Sequence, residues 1–398
     1  MSATTTDLPL AGIRVADFSR VLAGPYATMM LADFGADVIK IESPDGDDTR
    51  SWRPPVDAAG DSTYFAAVNR NKRSIVCDLR MEAGLATAHR LAAGADIVVE
   101  NFRPGVMERF GLDEATLRAD APGLVYCSIT GFGRGDGAAL AGYDLLVQAV
   151  GGLMSITGAP DSGPTKVGVA LVDVLTGLNA FSGMLLALRE RDRTGLGQRI
   201  DVDLLTSLLA ALTNQASSTL ATGIAPARMG NAHPSIAPYE LVDASDRPFV
   251  VAVGNDRQFR DFVGLLGRPE LADDPRFARN ADRVRHRQAL RDELMSTLAG
   301  NTAAHWVDRC ATARVPAGLV NDLTEAFAFA ASLGLDPVAR IDQADATGTG
   351  TTRSGAQPAN PIHLSSAPAD YRSVAPRLGE HDGADWHPQP HPQKEGRP

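Results

Sequence analysis

The sequence predicts an α/β fold, with a large domain built on a parallel sheet and a smaller α/β domain after it. Over the first two hundred residues, short apolar stretches typical of buried strands alternate with helical patterns, which favours a parallel sheet covered by helices. A segment rich in Gly, Pro and Ala interrupts this pattern at 221–238, as a linker would. The chain has 398 residues, more than one small core requires.

The large domain should begin with alternating strands and helices. Strands are predicted at 12–19, 37–43, 74–79, 96–102 and 124–130. Helices are predicted at 25–36, 82–95 and 170–192, and 199–221 adds a strand and another helix. Pro25 suits the first turn of its helix, where an N–H would have no partner. The 170–192 helix has an apolar stripe and a charged end.

The second half of the chain predicts fewer regular elements. Residues 238–259 indicate two strands around a polar turn, and charged helices follow to about residue 325. The stretch 339–360 is rich in Gly, Thr and Ala and is expected to be an exposed loop. The end of the chain, rich in His and Pro, has the composition of a disordered tail.

Composition and charge exclude several classes of protein. The net charge is −10 and the pI about 5.3, so a nucleic-acid partner is not expected. The three cysteines are far apart, which indicates buried small side chains in a reducing compartment rather than disulfides or a metal site. No signal peptide and no membrane-spanning run is recognised, so a cytoplasmic location is expected.

One short motif suggests a nucleotide, but weakly. GFGRGDGA (131–138) follows a predicted strand and contains a G-x-G-x-x-A spacing, which occurs in dinucleotide sites. No evident helix start follows it, and Asp136 would face a pyrophosphate. A nicotinamide dehydrogenase is therefore a minor alternative, which an NAD titration would test.

Cations gather near the ends of the predicted strands. Arg103 and Arg109, together with the neutral Asn101, follow one strand. The segment 69–80 contains Arg70, Lys72, Arg73 and Arg80. In open parallel sheets, ligands bind beyond the carboxyl ends of the strands. Cations in that position suit a ligand with several phosphates, although each could instead pair with a neighbouring carboxylate on the surface.

Asp173 lies in an apolar run, between VGVAL and VLTG. Burying a lone carboxylate is costly unless hydrogen bonds or chemistry require it. Asp173 also stands near the start of a long predicted helix, where it could serve as an N-cap. Both roles are compatible with the sequence, and composition alone favours the cap.

Over nearly its whole length the chain resembles the class III (CaiB/BaiF-type) coenzyme A transferases. The matching segments are ADFSRVLAGPYATMMLADFGADVIKIE, NRNKRSI, ENFRPGVMERFGL, GYDLLVQAVGGLMSITG, KVGVALVDVLTG, GNDRQF and PRLGEH. The resemblance implies a Rossmann-like large domain formed by both ends of the chain, a small domain in the middle, and an interlocked homodimer. Combined with the linker, small domain and tail read from the sequence pattern, it gives the boundaries 1–222 and 326–385 for the large domain, 223–238 for the linker, 239–325 for the small domain and 386–398 for the tail.

The resemblance also implies roles for individual residues. Asp173 matches the catalytic aspartate, and Tyr143 and Asp144 match a tyrosine–acid pair beside the reacting acyl group. The matches to coenzyme A contacts are Val21, Ala23, Cys77 to Arg80, Asn101, Phe102, Arg103 and Arg109. The implied substrates are an acyl-CoA and a free carboxylic acid, with no metal and no cofactor other than coenzyme A as co-substrate.

Two departures bear on the substrate. Formyl/oxalyl members of the family carry glutamine where Leu22 stands here, and they carry a run of glycines that is absent between 224 and 260. The segments GGLMSITG and KVGVALVDVLTG are more similar to relatives that act on small dicarboxylates such as succinate.

Two alternatives remain within the resemblance. An α-methylacyl-CoA racemase of the same fold needs paired bases and carries histidine in a G-H-D segment, where this chain has Tyr143. A coenzyme A-binding protein without catalysis is the second alternative; the presence of Asp173 argues against it, and an activity assay distinguishes the two. The sequence therefore favours coenzyme A transfer, through an aspartyl anhydride and an aspartyl-CoA thioester.

Overall fold

The structure, a computed structural model, describes residues 8–344 and 352–388. In chain order its strands are β1 (Arg14–Asp17), β2 (Asp37–Glu42), β3 (Lys72–Val76), β4 (Ile97–Glu100), β5 (Val125–Thr130), β6 (Arg199–Asp203), β7 (Tyr239–Asp243), β8 (Pro248–Ala252), β9 (Ala317–Leu319), β10 (Val338–Ala344) and β11 (Thr352–Pro358). Its α-helices are α1 (Ala23–Asp33), α2 (Thr63–Ala66), α3 (Glu82–Ala93), α4 (Val106–Arg109), α5 (Glu114–Asp120), α6 (Asp144–Val150), α7 (Leu153–Ile156), α8 (Leu171–Thr194), α9 (Leu204–Ala211), α10 (Thr213–Thr222), α11 (Asp256–Leu265), α12 (Asn280–Arg285), α13 (Arg287–Leu298), α14 (Ala303–Thr312) and α15 (Leu323–Ser332).

The chain divides into two compact units. The first contains the described residues of Met1–Gly151, Val167–Thr222 and Gly334–Pro398, and the second contains Gly152–Lys166 and Gly223–Leu333. The second unit thus includes the stretch expected to be a linker, 223–238. It also includes 152–166 and 326–333, which the sequence assigned to the large domain.

A six-stranded sheet organises the first unit. All its neighbouring strands pair in parallel, in the order β3-β2-β1-β4-β5-β6. This is the order of doubly wound nucleotide-binding sheets, and it reverses direction between β1 and β4. The predicted α/β class with a parallel sheet is therefore confirmed. Ligands of such sheets bind at the reversal point, beyond the carboxyl ends of the two strands.

Burial on both faces explains why these strands are so apolar. Val15, Ala16, Ile97, Val98 and Val99 are fully buried in the two central strands. Strands covered on both faces need near-continuous apolar runs rather than alternation, which is the pattern that made them recognisable in the sequence. The three cysteines are free and buried, as predicted, and burial raises the pKa of each thiol.

Helix α8 is the longest described helix. It ends at Gly195, which has a φ of +75° and so provides the left-handed residue that commonly terminates helices. It is also the one described helix long and apolar enough to cross a membrane. Its buried residues, among them Val172, Ala180 and Met184, instead belong to the interior of the first unit, where the helix packs against α1 and the sheet.

The prediction of an exposed loop at 339–360 was wrong. Strands β10 and β11 pair there as an antiparallel hairpin, and residues 345–351 of the prediction lie outside the described residues. Ala339 and Ile341 are buried and alternate with more exposed neighbours along β10. The polar composition of the hairpin concealed this alternation.

The prediction of a disordered tail from residue 386 was also wrong at its start. Trp386 packs against the core of the first unit, and its indole N–H donates to the Leu91 carbonyl at 3.2 Å. The His387 N–H donates to Asp37 at 2.9 Å. The tail is therefore ordered at 386–388, and residues 389–398 lie outside the described part of the chain.

The second unit has its own core around a small antiparallel sheet. Strands β7, β8 and β9 pair in sequence order, which confirms the two strands predicted at 238–259. Phe249, Phe259, Phe262 and Trp306 are buried in one apolar cluster beside this sheet. The unit therefore has the size and core of a small α/β domain.

Candidate active site

A cleft of about 240 Å³ lies beyond the carboxyl ends of β1, β4 and β5, where the sheet reverses its order. The first turn of α8 forms part of its wall. Of the residues predicted for the site, the cleft brings together Val21, Ala23, Asn101, Phe102, Arg103, Tyr143 and Asp173. Arg80, Arg109 and Asp144 are not part of its lining. We call this space the Asp173 cleft.

Asp173 does not cap α8, so the capping role favoured by composition was wrong. The helix begins at Leu171, and its N-cap residue Ala170 makes no side-chain capping bond. Asp173 is the third helical residue and is only partly exposed, and its carboxylate accepts no hydrogen bond from the residues the structure describes. Burial, and next the charge of Asp144, raises its pKa from 3.8 to about 7.

Asp144 takes the capping role from another helix. Its carboxylate accepts hydrogen bonds from the backbone N–H groups of Val172 and Asp173, at 2.8 and 3.2 Å. Gln148, one turn later on α6, donates to Asp144 and accepts from the Val167 N–H at 2.9 Å. The start of α8 is therefore tied to α6, and this tie sets where the Asp173 side chain leaves the helix.

The loop between β1 and α1, residues 18–22, forms one side of the cleft. Val21 has a φ of +70°, a conformation that is rare for a β-branched residue. Its N–H donates to both carboxylate oxygens of Asp47, at 3.3 and 3.2 Å. Asp47 in turn forms a fully buried ion pair of 2.9 Å with Lys40. The Val21 end of this loop is therefore bonded to a buried ion pair.

Asn101 joins that loop to the loop after β4. Its side-chain oxygen accepts from the Arg20 N–H at 2.8 Å, and its side-chain nitrogen donates to the Arg20 carbonyl at 2.7 Å. The Arg20 guanidinium also lies over the ring of Phe102, 5.3 Å from its centre. The amide of Asn101 therefore spans the point at which the sheet reverses its order.

The glycine-rich segment 131–142 also lines the cleft. A side chain on Gly131 would come within 2.4 Å of the Gly142 backbone, so the two ends of this segment are in close contact. Gly131, Gly133 and Gly137 line the cleft, and the segment leads directly to the exposed Tyr143. The segment that suggested a dinucleotide thus lines the cleft that contains Asp173.

Helices α1 and α8 touch at Gly177. A Cβ atom at this position would lie 2.7 Å from the Ala23 carbonyl and 3.1 Å from the Tyr26 ring. Asp173 is four residues earlier and so lies on the same face of α8. Glycine at 177 therefore lets the first turn of α1 approach the turn that carries Asp173.

A second, mostly apolar cavity of about 470 Å³ lies beside the cleft. Leu22 borders both spaces, and Ala170 and Val174 of the same helical turn as Asp173 line the second one. Tyr64 also lines it, and burial, followed by the charges of Asp173, Asp144 and Asp47, raises the pKa of its phenol to about 12. This tyrosine therefore stays a neutral hydrogen-bond donor at neutral pH.

The basic segment 69–80 is mostly structural. Arg70 pairs with buried Asp33 at 2.7 Å, Lys72 with buried Asp17 at 3.0 Å, and Arg73 with Asp37 at 2.7 Å. Of the two roles left open for these three cations, the ion pairs support pairing with carboxylates. Their partners lie far away in sequence, so composition could not distinguish the two roles.

The remaining predicted cations are at the surface. Arg80 is exposed and pairs with Asp78 at 2.8 Å. Arg103 and Arg109 are exposed.

Three residues of the site were missed in the sequence. Asp47 is one of four acidic residues in ESPDGDDT, and nothing in that string distinguishes it from Asp45 or Asp48. Tyr64 stands in no motif, and Gly177 is the last residue of KVGVALVDVLTG, where nothing in the sequence indicates its contact with α1. The three-dimensional structure identifies them, through the hydrogen bonds of Asp47 with Val21, the effect of the Asp173 charge on Tyr64 and the close approach of Gly177 to Ala23.

Comparison with known proteins gives consistent results. Residues 10–382 match the model of CoA-transferase family III. The chain is 44% identical over 384 residues to the succinate–glutarate CoA-transferase of Agrobacterium fabrum, and 42% identical over 382 residues to the acetyl-CoA:oxalate CoA-transferase of Acetobacter aceti, with 94% of each chain covered in both cases. The crystal structure of a CAIB/BAIF family protein from Brucella suis superposes with a TM-score of 0.82 at 44% identity, over 94% of this chain and 97% of that one.

Proposed function

The chain belongs to CoA-transferase family III, and from this we propose that it transfers coenzyme A from an acyl-CoA to a small dicarboxylate, with Asp173 as the covalent nucleophile. The observation that carries the proposal is the state of Asp173. Its carboxylate lies in the cleft with a raised pKa and no hydrogen-bond donor among the described residues. A partly buried carboxylate with a raised pKa is a stronger nucleophile than an ordinary exposed one.

The first half-reaction moves coenzyme A onto the enzyme. A carboxylate oxygen of Asp173 attacks the thioester carbonyl carbon, the C–S bond breaks, and a mixed anhydride and the coenzyme A thiolate are formed. The thiolate attacks the aspartyl carbonyl carbon of the anhydride, forming an aspartyl-CoA thioester and releasing the donor acid as a carboxylate. Both steps conserve charge and require no proton, metal or redox partner.

The second half-reaction repeats these steps with the acceptor. The acceptor carboxylate attacks the aspartyl thioester carbonyl, which releases the thiolate and forms a new anhydride. The thiolate then attacks the acceptor's carbonyl carbon, giving the product acyl-CoA and the free Asp173 carboxylate. Each attack places negative charge on a carbonyl oxygen, and we expect backbone N–H groups of the cleft loops to stabilise it.

The proposed coenzyme A site begins in the cleft and extends along the protein surface outside it. Coenzyme A is too large for a cleft of about 240 Å³, so only its thioester end should lie inside, beside Val21, Ala23, Asn101 and Phe102. The exposed residues Arg80, Arg103 and Arg109 are proposed to bind its phosphates, for which Arg80 would exchange its ion pair with Asp78. Tyr143, exposed at the cleft, is proposed to contact the acyl group.

Dicarboxylates are the proposed acids because relatives are named for them. The relatives reported above are named for succinate and glutarate, and for oxalate. Oxalate therefore belongs among the candidate acceptors, although Leu22 departs from the glutamine of formyl/oxalyl enzymes. The proposed surroundings are a homodimer in the cytoplasm, and the free cysteines suit a reducing compartment.

The test is a matrix of donors and acceptors. Succinyl-CoA and acetyl-CoA are each incubated with succinate, glutarate, mesaconate, oxalate and acetate, and the products are read by mass spectrometry. We expect transfer to at least one dicarboxylate and, after hydroxylamine treatment, a hydroxamate on Asp173. Asp173→Ala should abolish both. Asp192→Ala, which removes an exposed carboxylate from the other end of α8, should abolish neither.

The same purified protein can be tested for the alternative activity, that of an α-methylacyl-CoA racemase. A racemase must exchange the α-proton of a 2-methylacyl-CoA with solvent, whereas the transfer steps leave that proton untouched. Incubation in heavy water should therefore incorporate no deuterium. Rapid α-deuteration without coenzyme A exchange, or full transfer by Asp173→Ala, would overturn the proposal.

A further inference from the structure

The strained backbone of Val21 needs an explanation. A valine at a φ of +70° is disfavoured by contact between its side chain and its own backbone. Such residues persist only where surrounding contacts hold them, and they gather at functional sites. Val21 lies in the loop that borders the Asp173 cleft.

Asp47 supplies the main contact that holds Val21. Its carboxylate accepts the Val21 N–H, as well as the N–H and hydroxyl of Thr49 at 3.0 and 2.7 Å. Burial alone would raise the pKa of Asp47, but its ion pair with Lys40 and these hydrogen bonds lower it to about 2. Asp47 is therefore a fixed, fully charged acceptor at every pH at which the protein would be used.

Lys40 links the Asp47 carboxylate to Ser19, near the start of the same loop. Its ammonium donates to the Ser19 carbonyl at 2.8 Å while it pairs with Asp47. The side chains of Lys40 and Asp47 are 1% and 0% exposed, so solvent cannot replace either partner. One buried ion pair thus holds Ser19 and Val21, the two residues that flank Arg20.

The loop held in this way leads into the contact between α1 and α8. A Cβ atom at Gly24 would lie 2.3 Å from the Ser19 side chain, so the loop folds tightly back on the first turn of α1. That turn includes Ala23, whose carbonyl contacts α8 at Gly177, one turn from Asp173. A shift of the loop would therefore change the distance between the cleft wall and Asp173.

We propose that Asp47 is a positioning residue for coenzyme A transfer, which acts through Val21 to hold the cleft wall against Asp173. The inference rests on the proposed function, because it assigns Asp47 to the step that Asp173 performs. Asp47 itself contacts no substrate. Its effect should fall on the rate of attack within the bound complex, and less on the binding of the coenzyme A nucleotide, which lies outside the cleft.

The test compares two buried carboxylates of the same region. Asp47→Asn keeps an oxygen for Val21 but removes the charge. Asp33→Asn is the matched control, because Asp33 is equally buried and paired with Arg70 at 2.7 Å, but stands at the far end of α1. Both variants should lower Tm. Asp47→Asn should lower kcat and the rate of adduct formation by about tenfold or more with KM for acyl-CoA nearly unchanged, whereas Asp33→Asn should leave kcat within about twofold.

A rescue variant separates positioning from stability. Glycine adopts a φ of +70° without strain, so Val21→Gly in the Asp47→Asn background should recover part of kcat. Thr49→Val removes only one hydrogen bond to Asp47 and should also lower kcat. This variant replaces Asp47→Asn in the test if Asp47→Asn fails to fold. Equal kcat losses in the Asp47 and Asp33 variants, or a recovery of Tm without recovery of kcat, would overturn the proposal. A wild type that forms no adduct and transfers no coenzyme A would overturn the proposed function as well.

Discussion

At the scale of single residues, the two carboxylates at the start of α8 have different roles: Asp144 caps the helix, and Asp173 lines the cleft. Asp144 accepts the helix N–H groups, and this leaves Asp173 without a donor. Sequence resemblance identified Asp173 and grouped Asp144 with Tyr143. It could not assign the cap to Asp144, because the cap joins two segments 28 residues apart in the chain.

The pH dependence of transfer should depend on Asp144. In the proposed mechanism Asp173 attacks as a carboxylate, so its pKa of about 7 predicts that kcat/KM rises with pH up to about 7 and then levels off. Asp144→Asn removes a neighbouring negative charge but keeps an oxygen for the Val172 N–H. The pKa of Asp173 should fall, and the acid limb of the kcat/KM profile should move to lower pH.

The control for this profile is another helix cap. Asp113→Asn changes the residue that accepts the Thr116 N–H at the start of α5, and it should leave the profile unchanged. An acid limb that stays in place in Asp144→Asn would mean that the group titrating in the profile is not Asp173.

At the scale of elements, the strands of the central sheet could be predicted from the sequence, whereas the β10–β11 hairpin and the packing of α1 against α8 could not. Apolar runs marked β1, β2, β4 and β5 because both faces are buried, so each strand carries its own signal. The β10–β11 hairpin carries no such signal, because its strands are largely polar. The close approach of Ala23 in α1 to α8 requires glycine at 177, and local patterns do not distinguish this glycine from Gly183 of the same helix.

Gly177→Ala should separate helix propensity from packing. Alanine favours a helix over glycine by about 1 kcal/mol, but its Cβ would meet the Ala23 carbonyl, and such overpacking costs about 1–3 kcal/mol. We expect a lower Tm together with a lower kcat, because α8 must move away from α1 at the turn that carries Asp173. Thermal unfolding and initial-rate kinetics measure the two effects.

Gly264→Ala provides the comparison within α11. A Cβ there meets no atom within 4 Å, so this variant should be stabilised by about 0.5–1 kcal/mol with no change in kcat. A Gly177→Ala protein as stable and as active as the wild type would show that the two helices can adjust freely.

At the scale of the whole molecule, the first unit leaves many large apolar side chains exposed. Leu145 and Val150 on α6, Leu186 on α8, Leu209 on α9 and Leu220 on α10 are between 47% and 88% exposed in the single chain. Exposed apolar surface of this kind commonly marks a protein–protein interface. It supports the proposed homodimer.

The homodimer should be visible in solution. Light scattering coupled to gel filtration should give about twice the 41.9 kDa of one chain. Because dissociation would expose these side chains, Tm should also rise with protein concentration. A monomer at every concentration, with a constant Tm, would exclude the dimer.

The raised pKa of Asp173 has a consequence for the protein's stability. The folded state keeps this proton up to about pH 7, whereas an unfolded chain releases it near 3.8, so the folded protein binds more protons between these values. The contribution of Asp173 to stability is therefore complete below pH 3.8 and declines as the pH rises to about 7. The folded protein is thus less stable when Asp173 is ionised. Under the proposed mechanism, forming an anhydride or thioester removes that charge and so relieves the cost in every turnover.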